Sequence, residues 1–233
     1  MSELRIALVA EGPTDGLIIE AGLRAFLTNR PFVLNQLQPE ATQPQIGTGW
    51  GGVLKWRQAF RQSGCVALED DPKLAGFDML ILHLDADVAH KSYADYGPQV
   101  AQMAADAALQ AMPFSQPCPP PSATVVLVQA LLRSWLGIAA IGSKTAFCIP
   151  SKSTEAWLAA ALLSNKANLM ADIECEMNSE RILANLPKAQ RVRKSRREYL
   201  AHVDTITETW ADRIKLCCSQ AIDFEARATS VLQ

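Results

Sequence analysis

Asp78-Met79-Leu80-Ile81-Leu82-His83-Leu84-Asp85-Ala86-Asp87-Val88 is the stretch whose reading decides the fold. Its near-continuous apolar run reads as a strand buried on both faces, as in the middle of a parallel sheet. Two carboxylates close it, and at i, i+2 spacing the period of a strand places both on one side. Like charges that close repel, and a cation between or in front of them relieves the repulsion. Hard oxygen ligands at a strand end suit Mg²⁺, which takes one or two carboxylates and keeps several waters. The same Asp-x-Asp spacing also serves as a turn that caps the next helix, so the motif alone leaves both readings open.

Working outward, residues 4–10 repeat the strand pattern and Glu11-Gly12-Pro13-Thr14-Asp15 breaks it. Thr14 or Asp15 is the expected N-cap of a helix to Thr28, with Ile19, Leu23, Phe26 and Leu27 on its buried face. Strand, tight turn and helix open an α/β unit, and Glu11 stands where open α/β sheets place ligands. Residues 32–37 form a short second strand and residues 53–62 a helix. Between them, Gly47-Thr48-Gly49-Trp50-Gly51-Gly52 lacks the Gly-Lys-Ser/Thr ending of a nucleotide P-loop. It reads as a flexible loop, or as a backbone wall that lets a ligand approach closely. An acidic loop at 69–72 leads into the central strand.

Downstream, helices are expected over 98–112 and 125–136, joined by a stiff proline-rich connector at 113–122. Residues 145–149 form a further strand, and 150–155 turn into a helix running through Leu163. Ser153 is its expected N-cap, and Glu155 in the first turn complements the helix dipole. Trp157, Leu158, Ala161 and Leu162 form its apolar face. A third acid thus follows a strand end, and in a parallel sheet such ends share one edge. The tail is helical, with Tyr199, Val203, Ile206, Trp210, Ile214, Cys217 and Ala221 as a core-facing stripe. Residues 1–165 are expected to form the α/β core, and residues 166–233 a helical extension packed on it.

A chain of 233 residues is long enough for one large core. Its net charge of -2 marks no bulk nucleic-acid binder, so any such surface must be local. Lys188, Arg191, Arg193, Lys194, Arg196 and Arg197 crowd ten positions with no intervening acid. They form either a phosphate-binding surface or a solvated helix face. The six cysteines contain no C-x-x-C pair, no signal-peptide architecture opens the chain, and Gln129, Arg133 and Ser134 interrupt the most apolar stretch. The expectation is a reduced, cytoplasmic protein with no membrane span. His83 reads as a satisfied core histidine. His90 and Lys152 are placed where each could meet a phosphate.

Val9-Ala10-Glu11-Gly12-Pro13-Thr14-Asp15 followed by Leu84-Asp85-Ala86-Asp87 resembles the Toprim domain of topoisomerases, primases and several nucleases. In that family one strand ends in Glu-Gly and a later one in Asp-x-Asp. Residues 149–158 and 218–224 are similar to a bacterial Toprim-like group related to the nuclease half of OLD-type (overcoming lysogenization defect) proteins. The likeness covers residues 5–165, and the tail less closely. Glu11 and Asp85 lie 74 positions apart, more than the compact family core needs.

The resemblance implies a Rossmann-like Toprim core carrying a Mg²⁺ (or Mn²⁺) site. Glu11 would be the general acid/base or a metal-facing carboxylate, Asp85 and Asp87 the metal ligands, and Asp15 a supporting or second-metal carboxylate. Glu155 would complete the catalytic and metal-binding set. Lys152, Arg191, Arg193, Lys194, Arg196 and Arg197 would be the nucleic-acid contacts. The chain has no room for a topoisomerase cleavage-tyrosine domain, and no zinc ribbon marks a primase. What the likeness implies is a metal-dependent nuclease acting on DNA or RNA. An anti-phage effector role, a separately encoded ATPase partner and a homo-oligomer are all compatible with it. The alternative is a catalytically weak binding or regulatory subunit of an ATPase complex.

Overall fold

Successive strand residues point to opposite faces of one sheet, and a packed layer covers each face. The computed structural model describes residues 2–40, 42–61, 71–138, 141–163, 170 and 172–233. Among these, β1 (Leu4–Val9), β2 (Phe32–Gln38), β3 (Met79–His83) and β4 (Thr145–Cys148) form an all-parallel sheet in the order β2-β1-β3-β4. The helices α1 (Pro13–Phe26), α2 (Gly49–Arg61), α3 (Pro98–Asp106), α4 (Ser122–Leu136) and α5 (Glu155–Leu162) are interleaved with the strands. Helices α6 (Ser179–Ala184), α7 (Arg196–Leu200), α8 (Val203–Thr209) and α9 (Ser219–Val231) follow. Ile6, Leu8, Met79, Ile81, Ala146 and Cys148 pack in one layer with α1, α5 and the C-terminal helices. Ala7, Val9, Leu80, Leu82 and Phe147 pack in the other with α2 and α4. A sheet covered on both faces explains the unbroken apolar run of β3.

The chain moves from β1 outward to β2, then returns across β1 to β3. The strand order therefore reverses between β1 and β3, and this switch point is where an open α/β sheet leaves a crevice at its C-terminal edge. Residues just past β1, β3 and β4 meet at that edge.

The tail is part of the same core. Tyr199, Val203, Ile206, Trp210, Ile214 and Ala221 are buried in one apolar cluster with α1 and α5, whereas Cys217 is only partly buried. Trp210, in a π-helical turn (Trp210–Ile214), meets Trp157 edge-on at 5.5 Å between ring centroids. Helix α5 lies between sheet and tail, so residues 155–161 are all buried and its apolar surface is not confined to one face.

Several local expectations differ from the structure. β3 ends at His83, and Asp85 precedes a 3₁₀ turn (Ala86–His90). A turn therefore sets the directions of Asp85 and Asp87, and the period of a strand does not. Gly12 caps α1 with Pro13 in the first turn, which leaves Thr14 and Asp15 buried inside the helix. Helix α2 starts earlier than expected, at Gly49; α3 stops at Asp106; and Thr154, not Ser153, is the cap of α5. Gln62, Glu69 and Asp70 lie outside the described residues.

The expectation of fully reduced cysteines is also corrected. Cys118 and Cys175 form a disulfide, with Cα atoms 5.6 Å apart and 57 positions apart in sequence. Spacing along the chain could not reveal a pair that only folding brings together. Among the described residues no helix is long and apolar enough to cross a membrane.

Gly22 of α1 tests the docking of the tail. A Cβ there would lie 2.7 Å from the Trp210 ring, and Trp210 is itself held between Phe26 and Trp157. Gly22→Ala should cost about 1–3 kcal/mol by overpacking, despite the better helix propensity of alanine. Chemical denaturation measures this; an unchanged midpoint would mean that the tail does not bear on α1.

Candidate metal centre

Each acid of the centre is positioned by a different element. Glu11 follows β1, and its carbonyl accepts the Gly49 N–H at 2.7 Å, so the glycine-rich turn backs onto the site. A side chain at Gly51 would collide with the Tyr96 ring, whose hydroxyl donates to the Thr48 carbonyl at 2.7 Å. Residues 49–52 open α2, and the space their glycines leave is filled by the Tyr96 ring at Gly51 and by the Gln38 amide at Gly52. Glu11 Oε1 in turn accepts the Asp85 backbone N–H at 2.8 Å, tying the ends of β1 and β3 together.

Asp85 is buried, and its Oδ1 lies 3.1 Å from His83 Nε2. His83 Nδ1 accepts the Glu11 N–H at 3.5 Å, which leaves Nε2 as the nitrogen that donates to Asp85. His83 is thus satisfied, as its sequence context suggests, but by groups of the site itself. Asp15 is buried in the first turn of α1 and accepts the Thr154 hydroxyl at 2.6 Å. Ligand atoms of Asp15, His83 and Asp85 lie within 4.8 Å of one another. Asp87 is half-buried, with its N–H on the Lys152 carbonyl at 3.2 Å.

Glu155, 1% exposed, closes the group from α5. Tyr199 donates to its Oε1 at 3.1 Å, and Lys194 Nζ lies 2.9 Å from the same oxygen and 3.5 Å from Glu180. The sequence grouped Lys194 with outward-facing nucleic-acid contacts; the structure turns it toward the carboxylates. Lys152 is nearly buried, its ammonium 3.5 Å from the Ser115 hydroxyl. Arg191, Arg193, Arg196 and Arg197 remain exposed. Sequence reading missed Tyr199 and the role of Lys194, since a core stripe and a basic run mask them.

The electrostatics divide the acids in two. Burial first, then the charges of Asp85, Asp15 and Asp87, push the Glu11 carboxyl well above its ordinary range. Burial, then Asp15, Glu155 and Asp87, do the same to Asp85. Asp87 is also raised, chiefly by burial. Burial acts against ionisation of Glu155 too, but the Lys194 charge and hydrogen bond, with one from Ser153, outweigh it and lower its pKa. Burial opposes the Lys194 ammonium, yet Glu155 raises its pKa. The donor set fits a hard divalent cation: clustered carboxylates whose repulsion Lys194 relieves at Glu155 but leaves at Glu11 and Asp85.

No family model matches the chain, and neither a curated protein nor a solved structure does.

These opposite shifts predict opposite stability effects in metal-free buffer. An acid with a raised folded pKa binds its proton more tightly when folded, so its contribution falls as pH climbs through the carboxylate range. Asp85→Asn should therefore raise the melting temperature at neutral pH, by about 2–4 °C per kcal/mol of repulsion relieved, and gain little below about pH 4. Glu155, with a lowered pKa, contributes stability above the ordinary range and loses it as pH falls. Glu155→Gln should cost about 1–3 kcal/mol at neutral pH. That is less than the ~3–5 for a fully buried pair, because the Lys194 side chain is 41% exposed and screened. Thermal melts of both variants from about pH 4 to 8 check the signs; shifts in the same direction would refute the division.

Proposed function

We propose that the protein is a divalent-metal-dependent nuclease that hydrolyses phosphodiester bonds in DNA or RNA, built on a Toprim-like core. The observation that carries this is the meeting of Glu11, Asp15, Asp85, Asp87 and Glu155 at one sheet edge, with Lys194 among them. Glu11, Asp15, Asp85, Asp87 and Glu155 would hold Mg²⁺ or Mn²⁺, which would polarise the phosphoryl oxygen of a substrate. The chain's own groups have separable tasks. Glu11, whose proton affinity burial and the neighbouring carboxylates raise, suits a proton-transfer role. His83 fixes the direction of the Asp85 carboxylate, and the Asp85 backbone N–H fixes that of Glu11. Tyr199 orients Glu155, and Lys194 supplies a positive charge beside the position where a phosphate would add negative charge.

The anti-phage effector role, the separately encoded ATPase, a homo-oligomeric state and the cytoplasmic setting belong to this same proposal. A second reading, a catalytically weak binding or regulatory subunit of an ATPase complex, is favoured by one observation. Glu155 is already neutralised by Lys194, so part of the charge a metal would balance is balanced from within.

Incubation with plasmid, single-stranded DNA and tRNA in Mg²⁺, Mn²⁺ or EDTA separates the readings. The nuclease reading expects cleavage that EDTA abolishes and that Asp85→Asn and Glu155→Gln each reduce by on the order of 10²-fold or more. Mn²⁺ should also raise the melting temperature by mass action, and Asp87→Asn should remove most of that rise. Metal-induced stabilisation without cleavage of any substrate would leave the regulatory reading in place.

A further inference from the structure

The basic run at 188–197 is not one surface. Val192 is buried and its N–H bonds the Leu183 carbonyl at 3.1 Å, while Lys194 turns inward to Glu155. Arg191 and Arg193 face solvent. There they wall a concavity of about 370 Å³ with Lys188 and His202. Among the described residues no carboxylate forms an ion pair with Lys188, Arg191 or Arg193. The acid in the concavity, Glu198, accepts the Arg193 backbone N–H instead.

Hydrogen bonds hold the chain around the concavity. Arg191 Nε donates to the Leu186 carbonyl at 3.3 Å, leaving its terminal amino groups free to point elsewhere. The Ser195 hydroxyl holds the Glu198 N–H at 3.2 Å, and the His202 N–H bonds the Tyr199 carbonyl at 3.0 Å. Tyr199 and Lys194, both on the carboxylate centre, thus lie in the chain among the residues that frame the concavity. Cations gathered in a concavity, where Glu198 is the one carboxylate among the lining residues and is held by a backbone N–H, fit a phosphate group. Arg196 and Arg197, on α7, do not line it.

We propose that this concavity is a phosphate subsite, holding a phosphodiester of the same strand whose cleaved bond lies at the carboxylate centre. The proposal rests on the nuclease reading for the strand's path, since Lys194, on the carboxylate centre, directly follows Arg193 of the concavity in the chain. It adds Lys188 and His202 to the substrate-binding residues and removes Arg196 and Arg197.

The test is equilibrium binding of a short fluorescein-labelled oligo-dT in EDTA, where cleavage cannot interfere, over a range of salt. Lys188→Ala with Arg191→Ala should lower the log–log salt slope by about 0.7 for each phosphate no longer neutralised. Lys188→Gln with Arg193→Gln, which spares the Arg191–Leu186 bond, should do the same. Arg196→Ala with Arg197→Ala should leave the slope unchanged. The Mn²⁺-induced rise in melting temperature should persist in all three, showing folded protein with an intact centre. An equal fall of slope in the Arg196/Arg197 variant would overturn the subsite in favour of a diffuse basic surface. Loss of stabilisation by inorganic pyrophosphate with unaltered oligonucleotide binding would assign the concavity to a free phosphate ligand and overturn the substrate role. Absence of cleavage in every metal, together with the predicted difference in slope, would overturn the nuclease reading alone and support the concavity as a nucleic-acid site.

Discussion

Carboxylates brought to one edge of a parallel sheet repel, and the surrounding structure is arranged around that repulsion. β1, β3 and β4 run the same way, so the residues beyond their ends share one edge. Left to themselves, Glu11, Asp85 and Glu155 would splay apart or take up protons. Instead each accepts a donor from another part of the chain. The Asp85 N–H serves Glu11, His83 serves Asp85, Thr154 serves Asp15, and Tyr199 with Lys194 serves Glu155. The contacts that shape the site also tie β1 to β3, α1 to α5, and the tail to the sheet.

The two kinds of carboxylate in this cluster have separate uses. Glu155 is ionised and paired, which makes it an anchor. At Glu11 and Asp85, burial and the neighbouring carboxylates outweigh the charges of His83 and Lys194, so both hold protons more tightly than ordinary carboxylates. Neighbouring acids driven in opposite directions by their surroundings are the arrangement from which distinct acid, base and ligand roles arise. The driving groups are remote in sequence: Glu155 is governed by Lys194 and Tyr199, both delivered by the tail.

That delivery depends on hydrophobic packing far from the charges. Trp210 and Phe224 lock the tail against Trp157 and Phe26, and burial of each large apolar side chain contributes roughly 1.5–3 kcal/mol. The tail residues that precede Trp210 in the chain, Tyr199, Val203 and Ile206, lie in the same cluster. Lys194 therefore reaches Glu155 from a segment whose position is set by an apolar core.

The sequence by itself determined the α/β class, the parallel strands and the acids. Continuous apolar runs report burial on both faces locally, and Glu11, Asp85, Asp87 and Glu155 stand next to strand ends wherever the chain goes. The tail stripe was equally legible, since helical period survives without knowledge of the partner surface. Tertiary structure decided the rest. The turn after His83, and no strand period, aims Asp85 and Asp87, because strand pairing ends where β4 ends. Lys194 could not be distinguished from its basic neighbours until folding set its ammonium on Glu155 and left Arg191 and Arg193 in solvent. Nor could Cys118 be paired with Cys175. These features depend on which distant segments come within a few ångströms, and local periodicity carries no record of that distance.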